Sequence, residues 1–224
     1  MPDAVIVVTG TATEIGKTWL TAELARRLRA EGVSVAARKP VMSFDPDDAT
    51  NDARILAAAS GEVETSVCPA HRRYEKAMAP PMAADVLGRP RITIDELVGE
   101  LDLLDHGVAL VEGVGGVRSP LAHDGDTISL VERLNPDYVV VVAPSGLGAI
   151  NDVLTTRDSL GGRWPLIVFL NHFDSADDLH TRNLAWLRDE ESVPLAVTPG
   201  RVARCVLKLR PNTLGSRAQT VEAQ

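Results

Sequence analysis

The chain has 224 residues, with 31 acidic and 23 basic side chains and a formal net charge of −8. Such a length fits one domain spanning residues 1–224, and the acidic balance argues against a bulk nucleic-acid or anionic-membrane binder while permitting a local basic pocket. Cys68 and Cys205 lie far apart without CxxC spacing, which leaves a disulfide scaffold, an iron–sulfur cradle and a cysteine-rich zinc site unsupported.

Ala4 to Thr9 is a short β-branched apolar run bounded by glycine, the pattern of a strand buried on both faces. It has no basic region before it and so reads as a strand, not a secretory leader. No stretch approaches the roughly 18 apolar residues of a spanning helix, and a reducing cytoplasmic setting is expected. From Lys17 the period changes: Leu20, Leu24 and Leu28 lie four apart, with Arg26, Arg27 and Glu31 on the other side and Gly32 as the stop, an amphipathic helix.

Val33 to Arg38 reads as a second strand, closed by Lys39-Pro40. Met42 to Thr50 is polar and proline-broken and reads as loop. Asp52 to Ala59 forms a short helix, and Gly61 to Pro90 is the least periodic stretch, cut by Pro69, Pro80, Pro81 and Pro90. Thr93 with Glu96 has capping-box spacing and predicts a helix with Leu97, Leu101 and Leu104 on one face.

Val108 to Val111 is a third buried strand ending on Glu112, and Gly113 to Gly125 is a glycine-rich loop. Asp126 or Thr127 caps a helix carrying Ile128, Val131 and Leu134. Tyr138 to Ala143 and Leu166 to Leu170 are the fourth and fifth strands, separated by a helix with Ile150, Val153, Leu154 and Leu160. Leu179 to Leu187 is helical, Val193 to Val197 forms a shorter sixth strand, and the polar residues from Pro211 fray. This alternation predicts an α/β fold with a mostly parallel central sheet covered on both faces. Its ligand site then lies beyond the carboxyl ends of the strands, where Lys39, Glu112 and Asn171 all fall.

Gly10-Thr11-Ala12-Thr13-Glu14-Ile15-Gly16-Lys17-Thr18 fits the GxxxxGK[ST] phosphate loop, placed between a strand and a helix as its mechanism requires. Backbone amides around Thr13, Glu14, Ile15 and Gly16 would wrap phosphate oxygens at the positive end of the helix. Lys17 would reach the β- and γ-phosphates, and Thr18 would offer its hydroxyl to Mg²⁺. A dinucleotide loop fits less well, because the spacing is not GxGxxG and the second strand ends in Arg38-Lys39 instead of an acid. Glu112 is the best-placed strand-end carboxylate for a metal, with Asp52 next; Lys39 would direct a cation at a transferred phosphate or an anionic substrate. His71, His106, His123, His172 and His180 lack ligand spacing, and no GxSxG elbow is present, so hydrolytic nucleophile chemistry has nothing to rest on.

The segments VVTGTATEIGKT, ARKPVMS, VEGVGGVRSPL and SGLGAINDVLTT, in that order, resemble the dethiobiotin synthetase family. The resemblance implies a homodimeric P-loop NTPase-like fold and an ATP- and Mg²⁺-dependent ligase of biotin biosynthesis. An amine of 7,8-diaminononanoate is carboxylated by carbon dioxide, the carbamate attacks the γ-phosphate of ATP, and the second amine closes the cyclic urea with release of phosphate. It further implies that Lys17 and Thr18 serve ATP and Mg²⁺, that Asp52 and Glu112 complete the metal shell, and that Lys39 binds carbamate and γ-phosphate. Thr13 and Ser43 would hold the diamine, Asn171 would read the purine, and Gly148, Ala149, Ile150 and Asn151 would approach the substrate across the subunit interface.

Departures from the family pattern occur at Ala12, Phe44, Ala79-Pro80-Pro81, Val114 and Asp152, and they gather around the second substrate. A related P-loop ligase resembling cobyrinate diamide synthase is therefore an alternative. A ParA- or MinD-like ATPase switch is a further one, although Thr11 and Ala12 stand where such switches often carry an extra lysine.

Overall fold

The computed structural model describes residues 2–47, 51–103 and 105–209. Its frame is a six-stranded sheet of β1 (Ala4–Gly10), β2 (Val35–Arg38), β5 (Val108–Glu112), β8 (Tyr138–Pro144), β9 (Leu166–Asn171) and β10 (Leu195–Ala196). The spatial order is β10-β9-β8-β1-β5-β2, and every pairing is parallel. The two-residue strands β3 (Met42–Ser43) and β4 (Arg73–Tyr74) pair in parallel beside it, and β6 (Pro120–Ala122) pairs antiparallel with β7 (Gly125–Asp126).

Alternate strand residues enter opposite cores, which is why the strands read as unbroken apolar runs. Ile6 and Val8 pack with Leu20, Leu24 and Leu28 of α1 (Lys17–Ala30), Leu56 of α2 (Asp52–Ser60) and Val202 and Val206 of α9 (Pro199–Leu207). After α2 the chain makes a short α3 (Glu64–Val67) and, past β4, α4 (Pro80–Val86). On the other face, Val7 and Val111 pack with α4, with Leu97 of α5 (Ile94–Gly99), and with Leu130 and Val131 of α6 (Thr127–Leu134). Val153 and Leu160 of α7 (Ala149–Leu160) and Leu187 of α8 (Asp178–Asp189) complete that layer. The result is the expected three-layer α/β architecture.

Several local expectations are corrected. The Thr93 capping box is present, but α5 stops at Gly99, so Leu101 lies beyond the helix; glycine costs a helix interior about 1 kcal/mol relative to alanine. Leu104, Thr50 and the tail from Pro211 lie outside the described residues. Met42–Ser43 is strand where loop was expected, and the proline-cut stretch holds α3 and α4, the latter opened by Pro80 and Pro81 at its first turn. Proline there needs no amide partner and has its φ already set for helix. The final helix, α9, carried no sequence expectation. Among the described residues, no helix is long and apolar enough to cross a membrane.

Candidate active site

Beyond the carboxyl ends of β1, β2 and β5 lies a cleft of about 910 Å³, lined by Thr13, Glu14, Gly16, Lys17, Thr18, Lys39, Ser43 and Asp52 among others. β1 delivers Gly10 to the rim, and the loop turns back into α1 through Gly16, whose φ of +93° a side chain rarely adopts. A Cβ at Gly16 would also run into the side-chain amide of Asn171. That amide donates to the Ile15 carbonyl at 2.8 Å, so Asn171, which is buried at the end of β9, latches the loop at its turn. Ile15 in turn lies against Gly10, where a Cβ would collide with its side chain.

Lys17 Nζ donates to the Ala12 carbonyl at 2.7 Å. The ammonium is therefore folded over the loop it would use to hold a phosphate. Burial, then the nearby Lys39, lowers its pKa to about 8, against the opposing pull of Glu112 and Asp52.

Thr18, Asp52, Glu112 and Lys39 converge. Thr18 Oγ1 lies 3.0 Å from Asp52 Oδ1 and 2.8 Å from Glu112 Oε1. Lys39 Nζ lies 2.7 Å from Asp52 Oδ2 and 2.6 Å from Glu112 Oε1, and 3.4 Å from the Gly113 carbonyl. Burial opposes the Lys39 charge, but the two carboxylates overcome it and hold the ammonium above the ordinary lysine range. Burial likewise raises Asp52, yet Lys39 and the Thr18 hydroxyl win and keep its carboxyl below the usual aspartate range.

The same donor set suits a divalent cation. Glu112 is fully buried, and its Oε2 has no hydrogen-bond partner, which a buried carboxylate oxygen seldom tolerates. Among the described residues there is no cluster of three or more metal-binding side chains. Two carboxylates and a hydroxyl beside a phosphate loop are nonetheless what Mg²⁺ uses, because it takes one or two carboxylates and completes its octahedron with phosphate and water. The residues present fit the ion, with Thr18, Asp52 and Glu112 as its holders.

Lys39 reaches the cleft because successive strand residues point to opposite faces. Its neighbour Arg38 turns the other way and is 2% exposed. Arg38 pairs with Glu62 at 2.6 Å and donates to the Asp102 carbonyl at 2.8 Å, which pins the end of β2. Sequence reasoning treated Arg38 only as a strand terminus; no local pattern links it to Glu62.

Ser43, in β3, donates to the Met78 carbonyl at 2.5 Å. Its lone pairs remain for a donor such as an amine. The β3–β4 pairing brings Ala77, Met78 and Ala79 to the cleft wall opposite Val114, Gly115 and Ser119. Trp19, Met42, Phe44 and Asp45 also line it. Phe44, Ala79 and Val114 among them are departures from the family pattern, whereas the two-residue strands beside them are too short to show a period.

Gly148, Ala149, Ile150 and Asn151 are not part of this cleft lining. Gly148 caps α7 with φ +91°, Ala149 is buried, and Asn151 is exposed with its amide on Asp152 at 3.3 Å. Leu147 beside them is 91% exposed.

A family model described as an AAA domain matches residues 4–192. The ATP-dependent dethiobiotin synthetase of Caulobacter sp. (strain K31) is 37% identical over 204 residues, covering 87% of each chain. That of Phenylobacterium zucineum is 39% identical over 181 residues, covering 76% of each. The chain belongs to the dethiobiotin synthetase family.

The Streptomyces coelicolor synthetase, 34% identical over 85% of this chain and 81% of its own, extends the same relation. These relatives favour the synthetase reading over the diamide-synthase-like and switch-like alternatives. Solved structures add the fold alone. A plasmid partition protein from Borrelia burgdorferi matches with a TM-score of 0.57 at 11% identity, covering 93% of this chain and 99% of that one. The septum site-determining protein MinD from Pyrococcus horikoshii matches at 0.52 and 14% identity, covering 93% and 86%. The four segments that carry the resemblance hold the phosphate loop, Lys39, Glu112 and the start of α7.

Proposed function

We propose that the chain, acting as a single ligase domain over residues 1–224, carboxylates 7,8-diaminononanoate and closes it to dethiobiotin with ATP and Mg²⁺. The observation that carries this reading is the meeting of Lys39, Thr18, Asp52 and Glu112 at the mouth of a phosphate loop, in a chain with synthetase relatives along most of its length.

The loop amides from Thr13 to Gly16 and the Lys17 ammonium hold the β- and γ-phosphates. Bound by Thr18, Asp52 and Glu112, Mg²⁺ would neutralise charge on those phosphate oxygens. Lys39 is the catalytic cation: to serve, its ammonium exchanges one carboxylate partner for the carbamate and the γ-phosphate. The carbamate oxygen attacks the γ-phosphorus, the bond to ADP breaks, and the Lys39 and Lys17 charges stabilise the equatorial oxygens throughout. The second amine then attacks the carbonyl carbon of the mixed anhydride and expels inorganic phosphate. Thr13 and the Ser43 lone pairs position the diamine so that both steps are effectively intramolecular.

Asn171 would read the purine, and its latch on Ile15 would then join base recognition to loop shape. Gly148, Ala149, Ile150 and Asn151, outside the lining of their own cleft and exposed or partly exposed apart from the buried Ala149, would serve the substrate of a second copy in a homodimer. We assign the enzyme to the cytoplasm, with no nucleic-acid or membrane partner. The test supplies ATP, Mg²⁺, bicarbonate and the diamine, and follows phosphate release with detection of the cyclic urea by mass spectrometry. Diamine-dependent release with product at one urea per phosphate is expected. Phosphate release indifferent to the diamine would overturn the reading.

A further inference from the structure

Trp19 is the residue after the phosphate-loop threonine, and nothing in the proposed chemistry uses it. It is 50% exposed, although tryptophan is highly buried on average. One side of the indole meets the ring of Phe169 at 6.2 Å between centroids, with the planes tilted by 32°. The rest faces the cleft beside Gly16, Lys17 and Thr18. Beyond its contact with Phe169, itself buried in the core, the indole's helix face runs on to Glu23 one turn along and the exposed Arg26 two turns along, while Ala22 turns inward.

Sheet order fixes which end of a nucleotide this indole would meet. Lys39 and Glu112 end β2 and β5, both on one side of β1; Phe169 and Asn171 belong to β9, on the other side. A triphosphate held by the loop with its γ-phosphate at Lys39 therefore runs across β1, and its nucleoside emerges toward β9. At that end stand the half-covered indole and, on the far side of Gly16, the Asn171 amide.

We propose that Trp19 is a nucleotide-binding residue of this chain, offering its open face as a stacking platform for the purine base while Phe169 backs the indole from beneath. Stacking on an aromatic plane is indifferent to the base's hydrogen-bonding edge, so Trp19 supplies affinity and leaves the choice among purines to the polar groups around Asn171. The proposal rests on the ATP-dependent reading given above for the phosphate loop.

The test measures binding of two probes with Mg²⁺ present, ATP and inorganic tripolyphosphate, to the full chain and to Trp19→Ala and Trp19→Phe. Trp19→Ala should weaken ATP about tenfold, the scale of one lost base stack, and leave tripolyphosphate affinity unchanged; Trp19→Phe should recover most of the loss. In the wild type ATP should quench tryptophan fluorescence, and the quench should vanish in Trp19→Phe, where Trp164 and Trp186 remain as internal controls. Wild-type ATP affinity in Trp19→Ala would overturn the proposal, as would an equal loss for both probes, which would put the damage in the phosphate loop. Because the readout is binding, it stands apart from the ligase assay: ATP stacking without diamine-dependent product would sink the reaction assignment and keep Trp19 in its role.

Discussion

At the scale of single residues, Lys39 is held by two carboxylates at 2.6–2.7 Å in a buried setting, where removing one partner leaves the others without compensation. Lys39→Ala should lower kcat by about 100-fold or more, the usual cost of deleting one transition-state donor, with far-ultraviolet circular dichroism unchanged. Steady-state phosphate release checks it. Gly16→Ala should be worse for binding than for folding: the new methyl needs φ near +93° and the space of the Asn171 amide, so ATP affinity should collapse in calorimetry. Thr127 presents the converse case. Its hydroxyl is buried without a partner, so Thr127→Val, which keeps the shape and removes the unsatisfied group, should raise the urea midpoint by the equivalent of about 1 kcal/mol.

The site residues with strand-end or loop-motif addresses were legible in the sequence. Lys39 and Glu112 follow continuous apolar runs, and Thr18 closes a patterned loop. Trp19 was not legible as a cleft residue, because an aromatic at the start of an amphipathic helix reads as core until its exposure is known.

At the scale of elements, legibility followed length. The major sheet strands were readable from apolar runs buried on both faces, and α1 from leucines four apart. The two-residue β3 and β4 were not, for a pair of residues has no period, and their parallel pairing depends on a chain separation of about thirty residues. Pro199-Gly200 has the composition of a turn, which masks the start of α9, although Val202 and Val206 have helical spacing. The turn after α3 is tied to the end of α5 by Arg72, which donates to Glu100 at 2.6 and 2.8 Å. Those hydrogen bonds, working against burial, hold the Glu100 carboxyl below the usual glutamate range. The native value is depressed, so this stabilisation is fully present above the unfolded glutamate pKa of about 4.3 and is lost as pH falls through the lower native one. Wild type, with His71 as well as Arg72 on the carboxylate, should therefore exceed Glu100→Gln in urea midpoint above about pH 5, and the margin should shrink below about pH 4.

At the scale of the whole molecule, the parallel sheet separates the parts by side: Lys39 and Glu112 at the ends of β2 and β5, the loop latch at β9, and the start of α7 outside the cleft lining. If that helix start completes a neighbour's site, chains carrying Lys39→Ala and chains carrying Asn151→Ala should complement each other on mixing. Random reassortment into two-fold dimers gives one intact site in half the dimers, or about a quarter of wild-type activity. A site complete within each chain would give no more than the average of the separate variants. Only the family resemblance implied this arrangement; the spacing of residues 148–151 does not, because which end of a helix faces which cleft depends on strand order.

The cleft sets two ammonium groups, Lys17 and Lys39, against two carboxyl groups, Asp52 and Glu112, in a protein whose formal charge is −8. Formally the pair of pairs cancels, so the mouth of the site exerts little long-range attraction on a polyanion, while the remaining surface repels it. Salt should thus act on capture opposite to its effect on an electropositive funnel: added ions screen the repulsion and quicken arrival of free ATP. The protein would meet its nucleotide most readily when the phosphates come already clothed in cations.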